Sequence, residues 1–152
     1  MVKKTLKLLL LISFFSCGIS LNSQKLKNIK YFKNEILKQI NTVGYYQCTN
    51  VYFADSHYNI KKKLNNDYKR TLKFKNDGYI ESNASASNKD GNSGVIYLKN
   101  SKLKIDLIGG TSDRSKIIRT YKVKIEGSKL HLLEESAVIN ELIYYVYELK
   151  NK

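Results

Sequence analysis

The sequence predicts a mainly β protein: an eight-stranded antiparallel up-and-down barrel preceded by one amphipathic N-terminal helix. Three observations carry this. From Gly44 onward, apolar residues recur at every second position in eight short segments rich in β-branched and aromatic residues. Turn signals separate them, at Lys75-Asn76-Asp77-Gly78, Lys89 to Gly94, Lys99-Asn100-Ser101, Gly109 to Asp113 and Glu126-Gly127-Ser128. Ahead of Gly44 the apolar period is 3.6 rather than two.

Taken in order, residues 1–23 have the grammar of a secretory signal peptide. Lys3, Lys4 and Lys7 form a basic start, Leu6 to Phe15 an apolar run, and Ser16, Gly18, Ser20 and Ser23 supply small residues behind it. A permanent membrane span needs about 20 apolar residues, and this run turns polar from Asn22. Two processing routes remain. Cleavage after Ser20 or Ser23 discards Cys17; alternatively Ser16-Cys17-Gly18 is a lipobox and Cys17 carries a lipid anchor. Phe14 in the position usually held by an aliphatic residue, and the continuing apolar Ile19 and Leu21, favour the first route. The chain is therefore expected to be exported, periplasmic or secreted, with an outer-membrane lipoprotein as the alternative.

Residues 25–41 place Leu26, Ile29, Phe32, Ile36 and Ile40 at spacings of three and four, between lysines. This is the stripe of an amphipathic helix, and Gly44 is a plausible stop. The predicted strands then span 44–53, 68–74, 79–86, 94–99, 102–108, 117–125, 129–134 and 141–149. In the sixth, Tyr121, Val123 and Ile125 share one face and Thr120, Lys122 and Lys124 the other; in the fifth, Leu103, Ile105 and Leu107 oppose Lys102, Lys104 and Asp106. One face is buried and one is wet. A two-sheet sandwich satisfies the same pattern but leaves edge strands exposed, whereas sequential hairpins close into a barrel that has none. The barrel domain is placed at 44–149, a single core able to bury roughly two-thirds of its unfolded surface.

The formal net charge is +14. Such a balance ordinarily points to nucleic acid or an anionic surface. Here lysine outnumbers arginine 24 to 3 in a chain rich in Asn, Ile and Tyr, with no Pro, a bias that an A+T-rich genome imposes on any protein. Readers of nucleic acid rely on arginine for bidentate contacts, so no nucleic acid is expected as a partner. The cluster Lys61-Lys62-Lys63, Lys69, Arg70, Lys73 and Lys75 could orient the protein near an anionic membrane or glycan.

No residue pattern predicts a reaction. Asp55, Ser56 and His57 are the residue types of a hydrolase triad, but neighbours in sequence cannot present three side chains in line, and a surface loop explains them. His131 alternates with Leu130 and Leu132 and is expected to point outward, with no metal site. Cys48 shares a face with Tyr46 and reads as a small buried hydrophobe. There is no Gly-rich phosphate loop, nucleophile elbow, zincin helix or Cys-x-x-Cys. Neither catalysis nor a cofactor is expected.

Four stretches, "NTVGYYQCTNVYF", "RTLKFKNDGYI", "GVIYLKNSKLKID" and "YKVKIEGSKLHLLEE", resemble the bacterial lipocalin-like domains, small exported calycin-type barrels. Gly44 and Tyr46 stand where that family has its Gly-x-Trp opening strand, and the likeness spans Gly44 to Leu149. The resemblance implies non-covalent binding of a small apolar or amphipathic ligand. Strand phase makes Tyr46, Leu72, Phe74, Tyr97, Leu103, Ile105, Tyr121 and Val123 the candidate lining residues. An eight-stranded interior can hold one small ligand or be filled by side chains. The second case would make the protein an envelope surface component that meets a protein, glycan or anionic membrane with its outside.

Overall fold

The computed structural model describes residue 36 and residues 38–65, 69–85, 87, 91–109, 117–135 and 142–151. The proposed signal segment, Cys17 and most of the predicted helix lie outside these residues. Nine strands follow in chain order: β1 (Tyr45–Ala54), β2 (Ile60–Leu64), β3 (Thr71–Phe74), β4 (Tyr79–Ser82), β5 (Gly94–Lys99), β6 (Lys102–Gly109), β7 (Ile117–Glu126), β8 (Lys129–Glu134) and β9 (Leu142–Lys150). The sheet order is β2-β1-β3-β4-β5-β6-β7-β8-β9, and β1 also pairs with β9. Eight antiparallel strands, β1 and β3 to β9, thus close into a barrel, and β2 is additional.

The eight predicted strands correspond to those of the barrel; β2 was not expected. It lies along the same edge of β1 as β3 does, since Val51 to Ala54 pair with Leu64 to Ile60 while Tyr46 and Gln47 pair with Leu72 and Thr71. Between the two pairings the Cys48 N–H donates to the Arg70 carbonyl at 2.8 Å. The wall is therefore continued by β2 where β3 ends.

Of the predicted helix, Ile36, Lys38 and Gln39 have helical backbone and the Ile40 N–H donates to the Ile36 carbonyl at 3.2 Å. No longer helix is shown. Ile36 and Ile40 are nonetheless buried in the same apolar cluster as Tyr46, Leu72, Phe74 and Leu130. The Asn41 N–H donates to the Tyr46 hydroxyl at 3.1 Å, and the Asn41 Oδ1 accepts from the Val43 and Gly44 amides. This turn plugs the barrel end at which the chain enters β1 and leaves β9.

That end also carries the tight hairpins. Lys75 to Gly78 joins β3 to β4, Asn100 and Ser101 join β5 to β6 with φ of 51° and 60°, and Gly127-Ser128 joins β7 to β8 with Gly127 at φ 58°. Such turns match the twist of the strands they connect. The longer connections, β4 to β5, β6 to β7 and β8 to β9, all lie at the other end.

Inside, the barrel is apolar: Leu72, Phe74, Ile80, Ile96, Ile105, Leu130 and Leu132 are at most 2% exposed. Strand β1 keeps its inward phase only through a bulge. Its pairing with β9 shifts between Cys48 and Asn50, so Tyr46 and Cys48 face inward before Thr49 and Val51 faces inward after it. An extra residue on one strand has this effect.

The outer face is drier than the alternation predicted. Lys104, Asp106 and His131 sit on it and are 7%, 1% and 8% exposed, so these outward positions are not wet. Polar partners make the burial tolerable. Asp106 accepts from the Tyr97 hydroxyl at 3.0 Å and from Thr120 Oγ1 at 2.7 Å, and Lys104 pairs with Glu135. Elsewhere the outer face carries Lys73, Lys122 and Lys124, the reverse of the apolar outside and polar inside of a membrane-spanning barrel.

The His131 ring stacks on Tyr144 at 5.9 Å between centroids, and His131 Nδ1 and the Tyr144 hydroxyl share a hydrogen bond of 2.6 Å. Burial holds the His131 pKa below its ordinary value, with Glu126 opposing and Lys124 and Lys129 reinforcing the shift. The unfolded chain therefore takes up a proton near pH 6.5 that the folded chain resists. Stability from this group is full above that pH and declines as pH falls through the unfolded pKa toward the lower folded one. Urea unfolding of His131→Gln should show a smaller loss of midpoint on acidification below about pH 6.5 than the parent. Parallel pH profiles for the two proteins would show that His131 is not the titrating group.

Candidate functional site

At the end opposite the plug, the barrel encloses a cavity of about 280 Å³. Its described walls come from six places on the barrel. Arg70 precedes β3, Ser82 ends β4, Leu107 lies on β6, Arg119 and Tyr121 on β7, Leu132 on β8, and Ile143, Tyr145 and Tyr147 on β9; Ala84, Ser85 and Gly109 complete the rim. Strand alternation explains this set. Leu72 and Phe74 face inward, so Arg70, two residues before Leu72, does too; Arg119 and Tyr121 share the phase of Val123.

Two cations enter the cavity from opposite walls, since the strands that position them, β3 and β7, are four apart around an eight-stranded ring. The Arg70 guanidinium lies over the Tyr145 ring, 5.2 Å from its centroid. Arg119 Nη1 is 3.3 Å from Glu134 Oε1, while Glu134 Oε2 is buried with no hydrogen-bond partner. Tyr121 and Tyr145 meet edge to face at 6.0 Å, and Tyr145 and Tyr147 lie 6.4 Å apart. Burial raises the pKa of all three phenols; for Tyr145 the Arg70 charge opposes the rise. They stay protonated at neutral pH and present hydroxyl groups.

None of the described cavity-lining residues is His, Cys, Asp or Glu, and among the described residues there is no group of three such side chains able to hold a metal ion. What the cavity offers chemically is a pair of planar cations, phenol hydroxyls and an apolar floor. A second depression of about 420 Å³, lined by Tyr45, Thr71, Lys73, Glu81 and Asn83 among others, lies on the outer face of β3 and β4.

Seven of the eight predicted lining residues lie in the interior cluster: Tyr46, Leu72, Phe74, Ile105 and Tyr121 buried within it, Leu103 and Val123 packed against it. Tyr97 does not. It pairs with Lys104 while Ile96 pairs with Ile105, so its ring is on the outer face with its hydroxyl on Asp106. Of the eight, Tyr121 alone borders the cavity; the others fill the barrel nearer the plug. Arg70, Arg119, Tyr145 and Tyr147 were not anticipated as a set, although the in-phase spacing of Arg119 with Tyr121 was a usable signal.

The remaining sequence candidates are structural. Asp55 Oδ1 accepts from the backbone amides of His57 at 2.8 Å and Asn59 at 3.0 Å, and its Oδ2 from Asn59 Nδ2 at 2.8 Å. The bonds from Asn59 are the main reason its carboxyl stays acidic. Asp55 thus closes the β1–β2 turn and leaves the His57 ring to Ser56, 3.3 Å away. Cys48 is a buried thiol, 5% exposed.

No family model, no curated protein and no solved structure matches the chain.

Proposed function

We propose that this is an exported, lipocalin-like carrier that holds one small apolar or amphipathic molecule non-covalently in the barrel. The observation that carries the reading is the arrangement of the barrel's two ends: Ile36 and Ile40 fill the interior at one, and a walled cavity opens from it at the other. A barrel that served only as a scaffold has no use for unfilled space, because a void forfeits packing. The described lining has serine and tyrosine hydroxyls but no His, Asp, Glu or Lys to activate them, which favours binding over catalysis. Export rests on the pattern of residues 1–23.

A second reading, an envelope surface protein that meets an anionic membrane, glycan or protein partner, draws on β2. Lys61, Lys62 and Lys63 are all exposed there.

Mass spectrometry of protein purified from its native envelope, under native and then denaturing conditions, separates the two. The carrier reading expects a denatured mass consistent with cleavage near Ser23 and a larger native mass that collapses to it on activation. Acyl chains on Cys17 with no dissociable ligand would replace it with the surface reading.

A further inference from the structure

Resting on the carrier reading, we infer that the ligand is a small amphipathic anion whose carboxylate or phosphate-like head is held by Arg70, with its apolar part against Leu107, Leu132 and Tyr147.

The first support is where this chain places arginine. It contains three, against 24 lysines, and two of the three line the cavity. Lysine serves the solvated surface; a guanidinium differs in offering a planar fork of donors that grips a carboxylate or phosphate and stacks on aromatic rings. Its use here coincides with a place in the barrel where such recognition has room.

The second support is the contrast between the two arginines. Arg119 already has a carboxylate, Glu134. Arg70 has none among the described residues; its partner is Tyr145, whose ring it overlies and whose hydroxyl also bonds with it. Its backbone is fixed by the bond from Cys48, so the guanidinium is delivered into the cavity rather than left to swing in solvent. A half-buried cation that meets a ring and a neutral hydroxyl but no counter-charge among the described residues is incompletely compensated, and an anion on its open side supplies the missing charge. Glu134 repels an anion on the opposite wall, which assigns the head to Arg70. The buried phenols of Tyr145 and Tyr147, held protonated, are donors to the same head.

Size limits the rest of the molecule. At about 280 Å³ the cavity lies just under the usual range of ~300–1,000 Å³ for small-molecule sites. It has room for roughly nine water-sized groups at ~30 Å³ each. A single short chain or ring system fits; a two-chain lipid does not.

The test is calorimetric titration of the processed, ligand-stripped protein with octanoate, octyl phosphate, 1-octanol and octylamine, which share a tail and differ in head. Octanoate or octyl phosphate is expected to bind about tenfold or more tightly than octanol, and the tighter of the two identifies the head. In Arg70→Gln that anion should fall to the level of octanol while octanol itself is unchanged; Arg70→Lys, which keeps charge but loses the fork, should lie between. The comparison of heads on the parent protein needs no variant and stands even if Arg70→Gln does not fold. Equal binding of octanol and both anions, or tightest binding of octylamine, would overturn the inference and leave the carrier reading in place. Binding of none of the four would remove both.

Discussion

Phe74→Ala is expected to lower the stability of the barrel by about 3–5 kcal/mol, the range for deleting a fully buried aromatic ring. Phe74 is 1% exposed, lies on β3 pointing inward, and meets Tyr46 edge to face at 5.5 Å between centroids. Tyr46 is in turn the acceptor for the Asn41 amide that holds the plugging turn. Removing the ring therefore creates a cavity and loosens the residue on which the plug rests, and the plug residues Ile36 and Ile40 share the same cluster. The measurement is equilibrium denaturation in urea, with the shift read as a change in midpoint at constant slope. A loss under about 1 kcal/mol would mean that the site collapses around the deletion or that the plug does not depend on it.

The second large effect belongs to a residue with no side chain. Gly94 begins β5, and a Cβ built on it would lie 2.3 Å from the Asp106 carbonyl oxygen and 2.6 Å from Leu107 Cδ2. The nearer obstacle is backbone in the paired strand β6, which cannot rotate away as a side chain would. Gly94 is also paired with Ile80 on β4, so both of its neighbours constrain it. Gly94→Ala must part the β5–β6 ladder locally and is expected to cost about 1–3 kcal/mol, in the manner of an overpacked core; Gly94→Val should prevent the closed barrel from forming. Gly91→Ala is the informative control, because a Cβ there meets nothing within 4 Å although φ is +76°. Its cost should be near the ~1 kcal/mol of a left-handed alanine. If thermal melts rank Gly91→Ala as the more damaging, close approach at Gly94 is not the constraint.

How much of this could be read from the chain depends on whether a strand buries one face or two, or none. In β6 and β7 apolar residues alternate with polar or charged ones, so the inward phase of Ile105, Tyr121 and Val123 followed from the sequence even though Lys104 and Asp106 are buried on the outer face. In β5 the run Val95-Ile96-Tyr97 is apolar throughout and buried throughout, so alternation gives no phase and Tyr97 was assigned to the wrong face. β2 fails in the opposite way: Ile60, Lys61, Lys62 and Lys63 are exposed on both faces and only Leu64 packs against the interior, so the strand leaves no hydrophobic period. In β9 two tyrosines stand side by side, Tyr145 inward and Tyr144 outward against His131; nothing local distinguishes them. The bulge at Thr49 inverts the phase of β1 without a glycine to announce it.

The cavity was less legible than the fold for a related reason. Its described lining is assembled from six segments spread over Arg70 to Tyr147, and the residues that give it character are polar ones at strand ends. Arg70 stands just before β3 rather than in it. A search for inward apolar positions finds the filled half of the barrel and passes over the half with space.

Closure through β1 and β9 gives the barrel a particular order of assembly. Tyr45 bonds across to Lys150 and Ala54 to Leu142, so the first strand made by the ribosome waits for the last before one of its edges is covered. Every other neighbouring pair of barrel strands, from β3 to β9, can zip as local hairpins in microseconds; the seam cannot, because its loop entropy must be met in one long step. Until β9 arrives, β1 presents an unpaired edge of ten residues, open to any other strand it meets. Loss of the final strand, by truncation or an early stop, would leave both β1 and β8 with bare edges, and would turn a closed shell into one with two adhesive edges.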